Sequence, residues 1–188
     1  MILTNTQLLK FLDNQFHKEP QHIEIFSLKK NKTLVQQGKT SKYIYVIKEG
    51  IMKCTIIEEN TKSYTLEFLG VGEIIGEIEI LLKCKSIATI LSLTDCVVYR
   101  IEYDFFNQQL LNELEFNQIL MKELARRLQN TATRASSQQL NTLQTSLKNL
   151  LFLLDEQKVT FKKRDLAEYL GITLRSLNRE LKGQGHII

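Results

Sequence analysis

From Ile23 to about Ile101, apolar residues recur every second position and turn residues break the alternation. A period of two is that of strands with one buried face, so residues 23–27, 33–35, 43–48, 52–57, 65–69, 87–92 and 96–101 are predicted strands. Lys30-Asn31, Gln37-Gly38, Glu49-Gly50, Glu59-Asn60 and Gly70-Val71-Gly72 are the turns expected between them. Many short strands at this spacing predict an antiparallel barrel or sandwich. The period then becomes helical. Met121, Leu124, Leu128, Thr131 and Ala135 are separated by 3, 4, 3 and 4 residues. This narrow seam with a 3.5-residue repeat marks a helix that pairs with another helix, so the five residues are the predicted dimer interface. Arg126, Arg127 and Arg134 fall outside the seam. A helix packed on its own barrel would instead show a wider apolar stripe. A leucine-rich helix is predicted over residues 140–154.

The last segment carries the sharpest pattern. Leu166, Ala167 and Leu170 give a first helix one apolar stripe, and Gly171 permits the positive φ of a tight reversal. Thr173 is a candidate N-cap for a second helix, whose Leu174, Leu177 and Leu181 continue the buried side. Arg175, Asn178 and Arg179 are left outward together, as a helix-turn-helix requires for reaching base edges. An ordinary helical hairpin would share the apolar spacing but not the charge distribution. Residues 158–188 hold seven Lys/Arg and three acids, whereas residues 1–157 hold 18 of each, so the chain's net +4 lies in its last 31 residues. A basic end on a neutral body is the footprint of a phosphate-backbone binder. Lys163, Arg164, Thr173 and Ser176 are the candidate phosphate contacts, and Arg175, Asn178 and Arg179 the candidate base readers.

Composition narrows the remaining classes. The chain's 188 residues, 43% hydrophobic and 24% charged, suit one large or two small globular domains. Lys10 and Asp13 interrupt the apolar N-terminal positions, which argues against a signal peptide or anchor. No apolar run approaches the ~20 residues of a membrane span. Cys54, Cys84 and Cys96 show no metal-binding spacing and read as buried strand residues of a reducing, cytoplasmic compartment. His17, His22 and His186 are scattered, so no metal site is expected. Without a nucleophile–base pair or phosphate-cradling glycine loop, an enzyme is not expected.

The order of barrel, long helix and helix-turn-helix resembles the Crp/Fnr family of transcription regulators over nearly the whole chain. The resemblance rests on five blocks in register: residues 26–30 leading to Gln36-Gln37-Gly38, residues 43–50, the G-x-x-x-G-E block Gly72–Glu77, residues 124–128, and residues 165–181. It implies an α+β protein with an N-terminal antiparallel β-roll or jelly-roll effector domain (1–103). A dimerisation helix (104–136) and a DNA-binding helix-turn-helix domain (137–188) would follow. The family's β-ribbon wing is expected to be absent or truncated, because the sequence stops at Ile188.

The implied partners are double-stranded DNA, a second copy of the chain, RNA polymerase and an unidentified small-molecule effector. The alternative is a cyclic-nucleotide-binding module acting through protein contacts. In cyclic-AMP-binding members the position of Glu77 contacts ribose, and an Arg-Ser pair soon after it grips the phosphate. Lys85-Ser86 stands there, without the guanidinium fork. Thr131-Ala132 keeps half of an adenine-contacting pair. Glu77, Lys85, Ser86, Arg127 and Thr131 are thus the candidate effector residues, with Glu77 equally open to a salt bridge with Arg127. Cyclic AMP is expected to bind weakly or not at all. No cysteine precedes Cys54 for the iron–sulfur branch, and no histidine lies between His22 and His186 for the heme branch.

Overall fold

The computed structural model describes residues 2–59 and 62–183. The turn expected at Glu59-Asn60 lies partly outside these residues, as does the C-terminal segment from Gln184 where the wing was considered. The chain opens with β1 (Ile2–Leu3) and α1 (Thr6–Lys18). Next come β2 (Ile23–Leu28), β3 (Thr33–Val35), β4 (Tyr43–Glu49), β5 (Met52–Ile57), β6 (Ser63–Leu69) and β7 (Ile74–Ile75). A short α2 (Glu77–Leu82) precedes β8 (Thr89–Ser92) and β9 (Cys96–Glu102). The remainder is helical: α3 (Tyr103–Asn112), α4 (Leu114–Leu140), α5 (Leu143–Glu156), α6 (Lys163–Leu170) and α7 (Leu174–Gly183).

Two sheets, ordered β1-β6-β5-β8-β3 and β2-β9-β4-β7, enclose the β-roll. Every described pairing is antiparallel except β1 with β6, which is parallel. That exception corrects the wholly antiparallel expectation. β4 shows why the roll needs both flanking layers. Tyr45 and Ile47 point into the barrel interior with Met52, Leu69 and Val98. Ile44 and Val46 point to the other face, against Leu8 of α1, Phe105 of α3 and Phe116 of α4. Alternate residues of one strand therefore join two cores, as period-two geometry dictates. Asp13 of α1 completes this docking: Lys48 Nζ bonds Tyr99 Oη at 2.7 Å and Asp13 at 3.0 Å, and Tyr99 Oη also donates to Asp13.

A separate core of Leu147, Leu150, Leu154, Leu166, Ala167, Leu177 and Leu181 holds α5, α6 and α7 together. The expected helix-turn-helix is present. Gly171 takes φ +68 as the C-cap of α6, and Thr173 Oγ1 accepts from Ser176 N at 3.1 Å to cap α7. α4 runs to Leu140, four residues past the expected boundary at 136. The strand expected from 87 starts at Thr89, because residues 83–88 form the loop after α2.

Candidate effector cavity and nucleic-acid interface

The G-x-x-x-G-E block is held by backbone geometry that only glycine supplies at Gly72. That residue has φ +83, and a Cβ on it would lie 1.8 Å from the Asn5 carbonyl oxygen. Asn5 caps α1 by accepting from Leu8 N at 2.9 Å, and its amide donates to Glu123 of α4 at 2.7 Å. The block's carboxylates then meet two arginines of α4. Arg127 bonds Glu77 at 2.5 Å, Glu73 at 2.9 Å and the Ile74 carbonyl at 2.7 Å, and its Nε lies 3.2 Å from Glu123. Arg126 bonds Glu73, Glu123 and the Thr4 carbonyl. Three buried carboxylates thus share two guanidinium groups. Burial pushes Glu77 up to about 7 and raises Glu73, although Arg127 opposes both shifts. In this structure Glu77 takes the salt bridge rather than standing free for a ligand.

A cavity of about 720 Å³ lies between the β-roll, α4 and the C-terminal helices, a size ordinary for small-molecule sites. Leu69 and Ile75 of the roll, Leu124 and Thr131 of α4, Leu153 of α5 and Tyr169 of α6 share its wall. Glu77, Ser86, Arg127 and Thr131 are brought together there as expected. Lys85 is not. It is exposed and lines a different groove beside Thr40 and Tyr103, because the loop turns Ser86 inward and leaves the side chain before it outward. This corrects Lys85 as an effector contact. Cys54 also lines the cavity, and burial pushes its thiol up to about 12, so it is a neutral wall.

The predicted seam residues have different surroundings. Leu124 is half-buried against the core that the roll shares with α1, α3 and α4, and Thr131, Leu128 and Ala135 are exposed at the cavity. An outward ridge of α4 reads Leu114, Gln118, Met121, Ala125, Leu128, Ala132 and Ala135, all exposed and spaced alternately four and three. Leu114, Met121 and Leu128 are 72%, 70% and 73% exposed. Met121, Leu128, Thr131 and Ala135 of the predicted seam are all exposed, whereas Leu124 is turned inward by the arginines that anchor α4.

On the C-terminal module, Arg175 and Arg179 are exposed, while Ser176 and Asn178 are half-buried. Leu174 is 46% exposed and does not join the buried side with Leu177 and Leu181. As the first residue of α7, it has no preceding turn to bury it. Lys163 is half-buried and Arg164 exposed, with Arg164 Nε bonded to Glu168 at 3.0 Å. Sequence reasoning missed what lies beneath. Asp165 and Glu168 of α6 are buried against the roll, where Lys53 Nζ bonds them at 2.7 and 2.8 Å. Ser63 Oγ donates to Glu168 at 2.8 Å. Burial works against charge on both Lys53 and Glu168. Their mutual hydrogen bonds outweigh it, leaving Lys53 above and Glu168 below their ordinary values. Phe68 of β6 stacks between Phe161 and Tyr169, and the Arg134 guanidinium covers the Tyr169 ring.

Residues 25–113 match the model of the cyclic nucleotide-binding domain. The chain is 23% identical over 172 residues to the cAMP-activated global transcriptional regulator CRP of Salmonella typhimurium, covering 86% of this chain and 82% of the relative. Over most of its length the chain is similar to Crp/Fnr regulators. Solved structures share the fold of this chain. The c-di-GMP-responsive global regulator CLP of Xanthomonas campestris superposes with a TM-score of 0.80 at 17% identity, covering 92% of this chain and 91% of that one. FixK2 of Bradyrhizobium japonicum gives 0.74 at 16% identity, covering 87% and 86%. Among the described residues, no helix of the protein is long and apolar enough to cross a membrane.

Proposed function

We propose that the chain is a homodimeric, sequence-specific DNA-binding transcription regulator whose cavity senses a small molecule. The observation that carries this is the free outer face of α7: Arg175 and Arg179 stand exposed on a capped helix, at the basic end of an otherwise neutral chain. Guanidinium forks suit guanine O6 and N7, and Asn178 between them suits adenine. Lys163, Arg164, Thr173 and Ser176 border the same face as phosphate contacts, with the Thr173 hydroxyl also serving as the α7 cap. The apolar ridge of α4 supplies the two-fold seam, and a dimer would set two α7 helices in successive major grooves. An inverted repeat with half-sites about one helical turn apart is the matching operator.

Selection of bound fragments from random duplex DNA yields the site, and two variants then test how it is read. Arg179→Ala should weaken the selected site by about 1–3 kcal/mol while changing random DNA much less. Lys163→Ala should weaken all sequences alike and lower the salt slope by about one. Equal losses on selected and random DNA for both variants would show that α7 does not read bases. Salt-independent behaviour, or failure to bind duplex DNA, would favour the alternative of a module acting through protein contacts.

A further inference from the structure

The charged part of the cavity lining is acidic on balance, and its arginines are already paired. After α2, the Ser86 hydroxyl and the Ile87 amide both lie on one oxygen of Glu79, at 2.9 and 3.3 Å, and the Ala88 carbonyl is a second acceptor for the hydroxyl at 2.9 Å. A loop hydroxyl and a loop amide aimed at one oxygen are the donors an anionic ligand would use, and the chain's own carboxylate holds them. The cations give no alternative. Arg127 is engaged by Glu73, Glu77 and the Ile74 carbonyl. Arg134 is engaged by the carbonyls of Thr65, Leu66 and Tyr169. Lys85 faces the other groove. Three carboxylates, Glu67, Glu77 and Glu79, line the cavity against those two arginines, and most of the remaining wall is aliphatic.

We propose that the cavity binds an uncharged, largely apolar small molecule, and that Glu79 excludes phosphate-bearing ligands by occupying the donors of the loop at Ser86 and Ile87. A phosphate entering here would lose its hydration, meet no free guanidinium or ammonium among the described residues, and face the Glu79 charge directly. An uncharged ligand loses little on entering and gains burial against side chains from the roll, α4, α5 and α6. The inference rests on the cavity being the sensing site of the regulator proposed above.

A matched pair of fluorescent probes tests it on the full chain: uncharged N-phenyl-naphthylamine and its sulfonated counterpart, anilinonaphthalene sulfonate. The uncharged probe should bind saturably, one per chain, at least about tenfold tighter than the sulfonate, a margin of about 1.4 kcal/mol. Thr131→Trp and Asn149→Trp, which fill the cavity from α4 and from an exposed position on α5, should each abolish that binding. Glu79→Ala should free the Ile87 amide, remove one of the two acceptors of the Ser86 hydroxyl together with the repelling charge, and narrow the ratio to about threefold or less, by strengthening the sulfonate. The idea is overturned if the two probes bind the native chain equally, if cyclic AMP displaces the uncharged probe, if Glu79→Ala leaves the ratio unchanged, or if both tryptophan variants still bind. Duplex DNA binding is read on the same samples. DNA binding retained with any of those failures refutes the ligand class alone, whereas probe binding retained without DNA binding refutes the regulator.

Discussion

At the scale of single residues, burial decides more than residue type. Glu77 lies under a guanidinium, yet its carboxyl is pushed up to about 7 because the site is closed to water and crowded with like charge. The ordinary value is 4.5, so between these values the folded chain holds a proton that the unfolded chain has released. Stability should therefore fall as pH rises through that window, by at most about 3 kcal/mol from this group. Urea melts across the window should show the decline, and Glu77→Gln should flatten it. A slope unchanged by the substitution would place the titrating group elsewhere. The same block was legible as a G-x-x-x-G-E pattern. That Glu79, two residues beyond it, would hold Ser86 and Ile87 was not, because the contact closes across a loop whose path no periodicity encodes.

Among the elements, α4 carries two ridges of the same period. Two interleaved seams of the same spacing differ by one residue in places, and both contain Met121, Leu128 and Ala135. Their exposure is set by Arg126, Arg127 and Arg134, whose hydrogen bonds to the roll rotate Leu124 inward and Ala125 and Ala132 outward. Leu128→Asp should consequently split the dimer while leaving the protomer folded, since it sets two charges against each other at a seam that would otherwise be dry. Leu124→Asp should instead lower protomer stability, because it places the charge against the core shared by the roll, α1, α3 and α4. Light scattering and thermal melts on the two variants separate these outcomes. A dimer that survives Leu128→Asp would exclude this ridge.

For the whole molecule, the notable contact is the one between roll and DNA-reading module. Lys53 of β5 joins Asp165 and Glu168 of α6 in a buried cluster, beside the stack of Phe161, Phe68 and Tyr169. Replacing Lys53 by Met leaves two buried carboxylates without their cation, a change that typically costs about 3–5 kcal/mol. Hydrogen exchange should then show faster opening of α6 in Lys53→Met, and the further changes Asp165→Leu and Glu168→Leu should restore protection. Exchange in α6 equal to that of the native chain would show that the cluster does not hold the modules together. The pH range of the contact follows from the directions of its shifts. Glu168, held low, contributes above its ordinary 4.5 and loses its contribution as pH falls through its folded value. Lys53, held high, contributes below its ordinary 10.5 and loses it as pH rises through its folded value. The cluster is thus at full strength from about pH 4.5 to 10.5. Because the cavity is walled by residues of the roll and of α5 and α6, a ligand there touches both sides of this contact.

Local patterns were enough for every described strand but the two-residue β1 and β7, and for the helix-turn-helix and its exposed arginines, because period, turn chemistry and capping act over a few residues and leave their mark in the chain order. Even Gly171 and Thr173 announced their roles, since a positive φ and an N-cap are demands of the adjoining backbone alone. Tertiary structure decided the rest. It buried Asp165 and Glu168, which sit on α6 like any solvated acids, by docking that helix on a lysine over a hundred residues away. It turned Lys85 out of the cavity, paired Glu77 with Arg127, and set Leu124 of α4 inward. In each case the deciding partner is distant in sequence, and the energy at stake is that of desolvating a charge, which exists only once the chain has closed around it.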